Sequence, residues 1–255
     1  MLSIVCWRWG TLYGVEYVNR LRSMLARHLH LDHQLFCITD DPTGLDDGIT
    51  PIPMWPPEGL GRCRRLRIFD PAMKAIFGKR ILQLDIDGVI VGDIAPLLDR
   101  PDPLVMWRCV PELKCKKGEL SDNPADGIGA YNTSMVLMDT GVMPNIWKDY
   151  TSNPKKVELE AGNAGFGTVL RKSYNGKVTR VVPLDAGDDD QAIMSLYAKP
   201  LNPPTWGEAD GVYKAGRRGF SNRNELPGNS RIVFFNGSLP NNRPGEQTWI
   251  KEHWR

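Results

Sequence analysis

No stretch of the 255-residue sequence offers the roughly 18 consecutive apolar residues that a bilayer-spanning helix needs. The opening MLSIVCWRWG also lacks the charged segment and apolar core of a secretory leader, so a cytoplasmic protein is expected. Cysteine is sparse and scattered: Cys6, Cys37, Cys63, Cys109 and Cys115 form no CxxC pair, which speaks against both a disulfide framework and a zinc site. Net charge is only +2 with no long basic run, so nothing electrostatic points to a nucleic-acid partner. Internal repeats and low-complexity tracts are missing too. Three of the four histidines, His28, His30 and His33, crowd one short stretch with metal-like spacing and are read as structural.

What is present is a chain with an ordinary apolar share, long enough for one large α/β domain spanning residues 1–255. Residues 2–7 read as a buried strand, and Val15, Val18, Leu21, Leu25 and Leu29 then recur at helical spacing across 14–29. A second strand is predicted at 34–42, followed by a Pro- and Gly-rich loop over 42–61. A helix over 64–77 leads to a strand at 80–86. Further strands are predicted at 104–108, 134–139, 178–183 and 231–235, with helices near 144–151 and 190–198. The stretch 199–229 reads as loop. Alternating strands and helices imply a mostly parallel sheet covered on both faces, and ligands in such sheets sit beyond the carboxyl ends of the strands.

ILQLDIDGVIVGDI, residues 81–94, places Asp85 and Asp87 at such an end. Aspartates at a strand end are common turn residues. Two crowded carboxylates repel unless a cation lies between them, and oxygen ligands of this kind suit Mg²⁺ or Mn²⁺, which in turn can hold a diphosphate. LDIDGVIV also resembles the haloacid dehalogenase-type phosphatases, whose later metal motif needs a carboxylate four residues beyond Asp188. Ala192 stands there, and that family carries its nucleophile on the first strand rather than some eighty residues in.

A resemblance spread over more of the chain is to nucleotide-sugar glycosyltransferases of the GT-A fold, specifically the retaining family 8-like group and its small bacterial relatives. It rests on CWRWGTLYGVEYVNRL (6–21), RRLRIF (64–69), the DxD segment with its trailing GDI, YNTSMVLMD (131–139), DDDQAI (188–193) and RIVFFNGSLPNNRP (231–244), in the family's order. The resemblance implies a three-layer, Rossmann-like α/β/α domain with a mostly parallel central sheet. It also implies a metal-dependent hexosyltransferase that uses a nucleotide sugar, a UDP-hexose, and retains anomeric configuration. The acceptor would be a glycan or a lipid-linked glycan.

By that resemblance Asp85 and Asp87 bind Mn²⁺ or Mg²⁺, with Ile86 between them at the nucleotide, and Asn236 stands in for the family's missing late-motif His. The substitution implies weaker metal binding. Gly10, Thr11 and Tyr13 would pack around the nucleotide, and Gly237 would approach the diphosphate. Arg65 and Arg243 would stabilise charge on the leaving group. Asn132, Asp190 and Gln191 would line the transferring hexose, with helix capping the alternative role for Asp188 to Asp190. Of Trp7, Trp9, Trp206 and Trp249, Trp206 in the loop over the site is the expected acceptor contact. A non-catalytic sugar- or nucleotide-binding module of the same fold is the competing class.

Overall fold

The computed structural model describes residues 1–55, 60–108, 131–164, 169–174, 177–183, 189–215, 225–235 and 247–255. Their strands are β1 (Leu2–Arg8), β2 (His33–Thr39), β3 (Ile49–Pro53), β4 (Arg80–Leu84), β5 (Val89–Ile90), β6 (Leu104–Trp107), β7 (Asn132–Asp139), β8 (Val169–Tyr174), β9 (Lys177–Pro183), β10 (Thr205–Trp206), β11 (Val212–Ala215) and β12 (Ile232–Phe235). The α-helices are α1 (Val15–His28), α2 (Lys74–Phe77), α3 (Ala95–Leu98), α4 (Ile146–Ser152), α5 (Pro154–Asn163), α6 (Asp190–Ala198) and α7 (Thr248–His253), and a long 3-10 helix covers Gly61–Phe69.

Seven strands form the central sheet in the order β10-β6-β7-β4-β1-β2-β3. Only β7 runs against its neighbours β4 and β6; the other pairings are parallel. This single reversal matters for function, because β7 begins at the edge where β1, β4 and β6 end. Asn132 lies opposite Trp107, and the Asp85 amide donates to Ser134 O at 2.9 Å.

One sheet face is buried by α1, through Tyr17, Val18, Leu21, Met24 and Leu25, together with a small sheet ordered β11-β12-β5. The other carries the 3-10 helix, α4, α5 and α6 over Val5, Trp7, Ile81 and Val136. The result is the expected α/β layering.

Several local expectations change. The helix predicted over 64–77 is a 3-10 helix to Phe69, then a short Pro71–Met73 turn and α2. Pro71 cannot donate to the preceding turn, and Asp70 instead accepts from the Ala72 amide at 2.9 Å, capping a fresh start. The predicted loop 42–61 contains β3, whose Pro51 and Pro53 are tolerable because it is the edge strand. The predicted loop 199–229 contains β10 and β11.

Trp206 is accordingly not an acceptor contact. It pairs with Trp107 in the sheet, is 0% exposed, and donates Nε1–H to Leu97 O at 3.0 Å. A short Gly- and Pro-flanked strand hides from periodicity, which needs several turns or alternations to register. Trp206→Ala is expected to lower unfolding free energy by about 3–5 kcal/mol, measured from the urea midpoint; a surface tryptophan would leave that midpoint where it was.

Candidate functional site

The carboxyl edge of the sheet gathers the residues singled out by sequence. Beyond β1 the chain turns at Gly10, whose φ of +61° is the left-handed region that glycine enters freely. The Gly10 amide donates to Asp40 Oδ2 at 2.9 Å, while Arg8 Nη1 donates to Asp41 O at 2.6 Å, tying this loop to the end of β2. Gly10 and Thr11 are exposed on it. Asp40 and Asp41 were legible in TDDP at a strand's carboxyl end, although the sequence reading assigned them no role.

Beyond β4 a turn at Ile86 and Asp87 buries the Ile86 side chain in the core and leaves the two flanking carboxylates at the surface of the site. Behind the turn, β5 pairs antiparallel with β12, and the amides of Val91 and Gly92 both donate to Arg231 O. A Cβ on Gly88 would sit 2.8 Å from the Phe234 ring, and one on Gly92 2.9 Å from Ser230 O. The glycines of DGVIVGD thus let the acidic turn pack directly on the late strand.

Arg65, on the 3-10 helix, reaches under this turn. Its Nη2 donates to Asp85 Oδ1 at 2.7 Å and to Thr133 O at 3.0 Å, and its Nε faces Asp190 Oδ2 at 3.3 Å. Desolvation pulls the buried guanidinium's pKa down, but Asp85 and Asp190 outweigh it, and the net shift is upward. Arg65 is therefore a buried bridge between two acids rather than an open cation. Asp85 keeps 27% of its side chain exposed despite the bridge.

Asp87 is partly buried and accepts from the Tyr13 hydroxyl at 3.1 Å. Burial, then the charge of Asp85, pushes its carboxyl up to about 7, against the opposing pull of Tyr13 and Arg65. Burial and Asp87 raise the Tyr13 hydroxyl, keeping it a neutral donor. Arg65 and Tyr13 each engage one oxygen of a carboxylate, so each acid retains a second oxygen. Two acids, one of them raised by burial and then by its neighbour's charge, are a donor set that a hard divalent cation fits. Among the described residues no group of three His, Cys, Asp or Glu forms a cluster suited to a metal.

Asp190 opens α6 and is 3% exposed. Burial pushes it up to about 6, with Arg65 pulling the other way. The cap of α6 is its neighbour Asp189, which accepts from the Gln191 amide at 3.1 Å, so capping and site contact fall on different aspartates. Gln191 Oε1 accepts from Asn132 Nδ2 at 3.1 Å, and Asn132 Oδ1 accepts from the Ser134 amide at 2.8 Å. Tyr13 with Asp87, Arg65 with Asp85 and Asp190, and Asn132 with Gln191 are three bonded groups carried by neighbouring strand and helix ends. Asp188, Asn236, Gly237 and Arg243 lie outside the described residues.

The sequence matches no family model and no curated protein. Among solved structures, the galactosyltransferase LgtC in complex with donor and acceptor sugar analogs is similar over 97% of this chain and 91% of its own, with a TM-score of 0.53 and 13% identity. An active-site mutant of LgtC is similar over 92% of this chain and 88% of its own, with a TM-score of 0.48 and 13% identity. The fold, a mostly parallel seven-stranded sheet flanked by helices with the acidic turn at its carboxyl edge, is the GT-A fold seen in LgtC.

Proposed function

We propose that this chain is a single-domain, metal-dependent glycosyltransferase that moves a hexose from a nucleotide sugar, a UDP-hexose, to a glycan or lipid-linked acceptor with retention. One observation carries the reading: in a fold shared with an enzyme solved with donor and acceptor sugar analogs, Asp85 and Asp87 sit beyond the carboxyl end of β4, and Arg65 bridges Asp85 to Asp190. Asp85 and Asp87 would hold Mn²⁺ or Mg²⁺, with Asn236 as a further oxygen donor. When bound, the ion would offset the charge that develops on a departing nucleoside diphosphate. Gly10, Thr11, Tyr13, Ile86, Gly237 and Arg243 would contact the nucleotide. Asn132, Asp190 and Gln191 would orient the hexose. The acidic turn after the fourth strand, not the first, leaves the phosphatase reading without support.

Titrating UDP calorimetrically with and without Mn²⁺ tests this. Metal-dependent binding together with slow hydrolysis of UDP-glucose is expected. Binding with no turnover on any donor would favour the non-catalytic module, and equal UDP affinity with and without Mn²⁺ would refute the assignment of Asp85 and Asp87.

The raised carboxyl of Asp87 supplies a pH signature. Its native value of about 7 lies above the ordinary 3.8, so between those values the folded state holds the extra proton and stability falls as pH rises. Asp190 acts in the same direction up to about 6. His28 and His253, both lowered chiefly by burial, act oppositely below their ordinary 6.5. Those histidines are still half protonated in the unfolded chain at 6.5 and fade over about the next unit, so the Asp87 contribution between pH 6.5 and 7.5 is read as the difference between wild type and Asp87→Asn. Without metal the melting temperature of the wild type, taken relative to Asp87→Asn, is expected to fall across that interval, and 1 mM MnCl₂ should flatten the fall.

A further inference from the structure

The 3-10 helix Gly61–Phe69 carries four arginines and no acid: Arg62, Arg64, Arg65 and Arg67. At three residues per turn, positions 62 and 65 share one edge, and 64 and 67 another. The structure uses them that way. Arg65 bridges Asp85 and Asp190, and the charge of Arg62 also acts on Asp190. The other edge meets indoles: the Arg64 guanidinium lies 5.5 Å from the Trp9 ring centre, and that of Arg67 lies 4.9 Å from Trp55 and 5.7 Å from Trp147.

Two of these rings, Trp9 and Trp55, lie at the sheet edge that carries the site. Trp9 follows the end of β1, Trp55 follows the end of β3, and both pack on the sheet face that carries the 3-10 helix. Trp7 meets Trp9 and Trp55 edge-on and donates to Gln83 Oε1 at 3.3 Å; Gln83 in turn donates to Thr133 O, the carbonyl that Arg65 also uses. The ladder is thus anchored to the same strand ends as Asp85. Trp9, Trp55 and Trp147 all remain partly exposed.

Arg64 differs from its neighbour Arg65 in having no carboxylate partner among the described residues. Among the described residues its Nε donates to Gly61 O at 2.9 Å, and the terminal nitrogens of the guanidinium fork stay uncommitted. A partly buried guanidinium that lies over an indole and keeps its terminal nitrogens uncommitted among the described residues is a receptor for a planar or tetrahedral anion, and the partly exposed indoles beside it supply apolar surface for a sugar ring.

We infer that this rim is an acceptor subsite and that it selects a saccharide bearing an anionic group, a uronate carboxylate or a sugar phosphate, through Arg64 beside Trp9. The inference rests on the transferase reading of the adjoining cluster and names the acceptor class that reading leaves open.

Saturation-transfer NMR titrations of the full chain with methyl β-glucuronide, glucose 6-phosphate and methyl β-glucoside test it. At least one anionic probe is expected to bind roughly tenfold tighter than the glucoside, as one charge-assisted contact provides, and whichever anion wins identifies the source. Arg64→Gln should abolish the preference, and Arg64→Lys should keep part of it, which guards against a folding artefact in the first variant. Equal affinity for all three probes, binding to none, or a preference that survives Arg64→Gln overturns the inference. UDP titration of the same wild-type sample separates the two failures: if UDP binds with Mn²⁺ while the probes do not discriminate, only the acceptor assignment falls. If UDP does not bind, the donor reading falls whatever the probes do.

Discussion

Asp85→Asn is expected to leave the protein folded and to remove both the Mn²⁺ dependence of UDP affinity and roughly a hundred- to a thousandfold of any sugar-transfer or donor-hydrolysis rate. The substitution is nearly isosteric, and an amide oxygen at this position still accepts from Arg65 Nη2, now 2.7 Å from Asp85 Oδ1. What disappears is one negative charge next to Asp87. That charge is the second cause, after burial, of the raised Asp87 carboxyl. The variant's Asp87 should therefore titrate lower, and the Asp87-dependent part of the change in melting temperature between pH 6.5 and 7.5 should shrink as activity is lost. A site that gains tolerance to neutral pH while losing its metal response is the mark of carboxylates crowded for function. Calorimetry with UDP, run with and without Mn²⁺ on both proteins, gives the answer. Undiminished enhancement of UDP affinity by Mn²⁺ in the variant would remove Asp85 from the ligand set.

Much of this site was legible in the sequence because its parts obey local rules. Helix α1 shows its periodicity, β4 is an apolar run that ends at an acidic pair, and SMVLMD announces a buried strand at 134–139, which β7 extends back to Asn132. What stayed hidden depends on pairings between distant segments. No local feature of ILQLD or YNTSM reveals that β7 runs antiparallel, although that reversal is what delivers Asn132 and Thr133 to the edge holding Asp85. The 3-10 helix is similar: the segment reads as part of one helix over 64–77, and only its tighter winding sorts Arg65 inward to Asp85 and Asp190 and Arg64 outward to Trp9. Trp206 shows the opposite failure. A Gly- and Pro-rich setting implied exposure, yet two residues of sheet pairing and one indole hydrogen bond suffice to bury it.

Arg65→Met should be the most destabilising change in the site. The methionine fills similar volume but leaves Asp85 and Asp190 facing each other without the cation between them, and Asp190 is only 3% exposed. Removing one partner of a buried ion pair costs about 3–5 kcal/mol, which for a chain of this size is a melting-temperature drop on the order of 10 °C. The loss depends on pH in a defined direction. Arg65 opposes the upward shift of Asp190, now at about 6, so without it the Asp190 carboxyl rises further and stays protonated to higher pH. The variant should therefore lose least near pH 5, where Asp190 is neutral, and most near pH 8, where it must be buried as an anion. Adding Asp190→Asn should recover part of the loss, because the stranded charge is gone. Arg65→Lys should fall between, since a single ammonium cannot supply the planar fork that serves Asp85, the Thr133 carbonyl and Asp190 together. If Arg65 instead served only the donor's diphosphate, Arg65→Met would weaken UDP binding while its melting curve overlaid the wild type at pH 8. Differential scanning calorimetry at pH 5 and 8, paired with UDP titration, distinguishes a bridge that builds the site from a cation that merely faces its ligand.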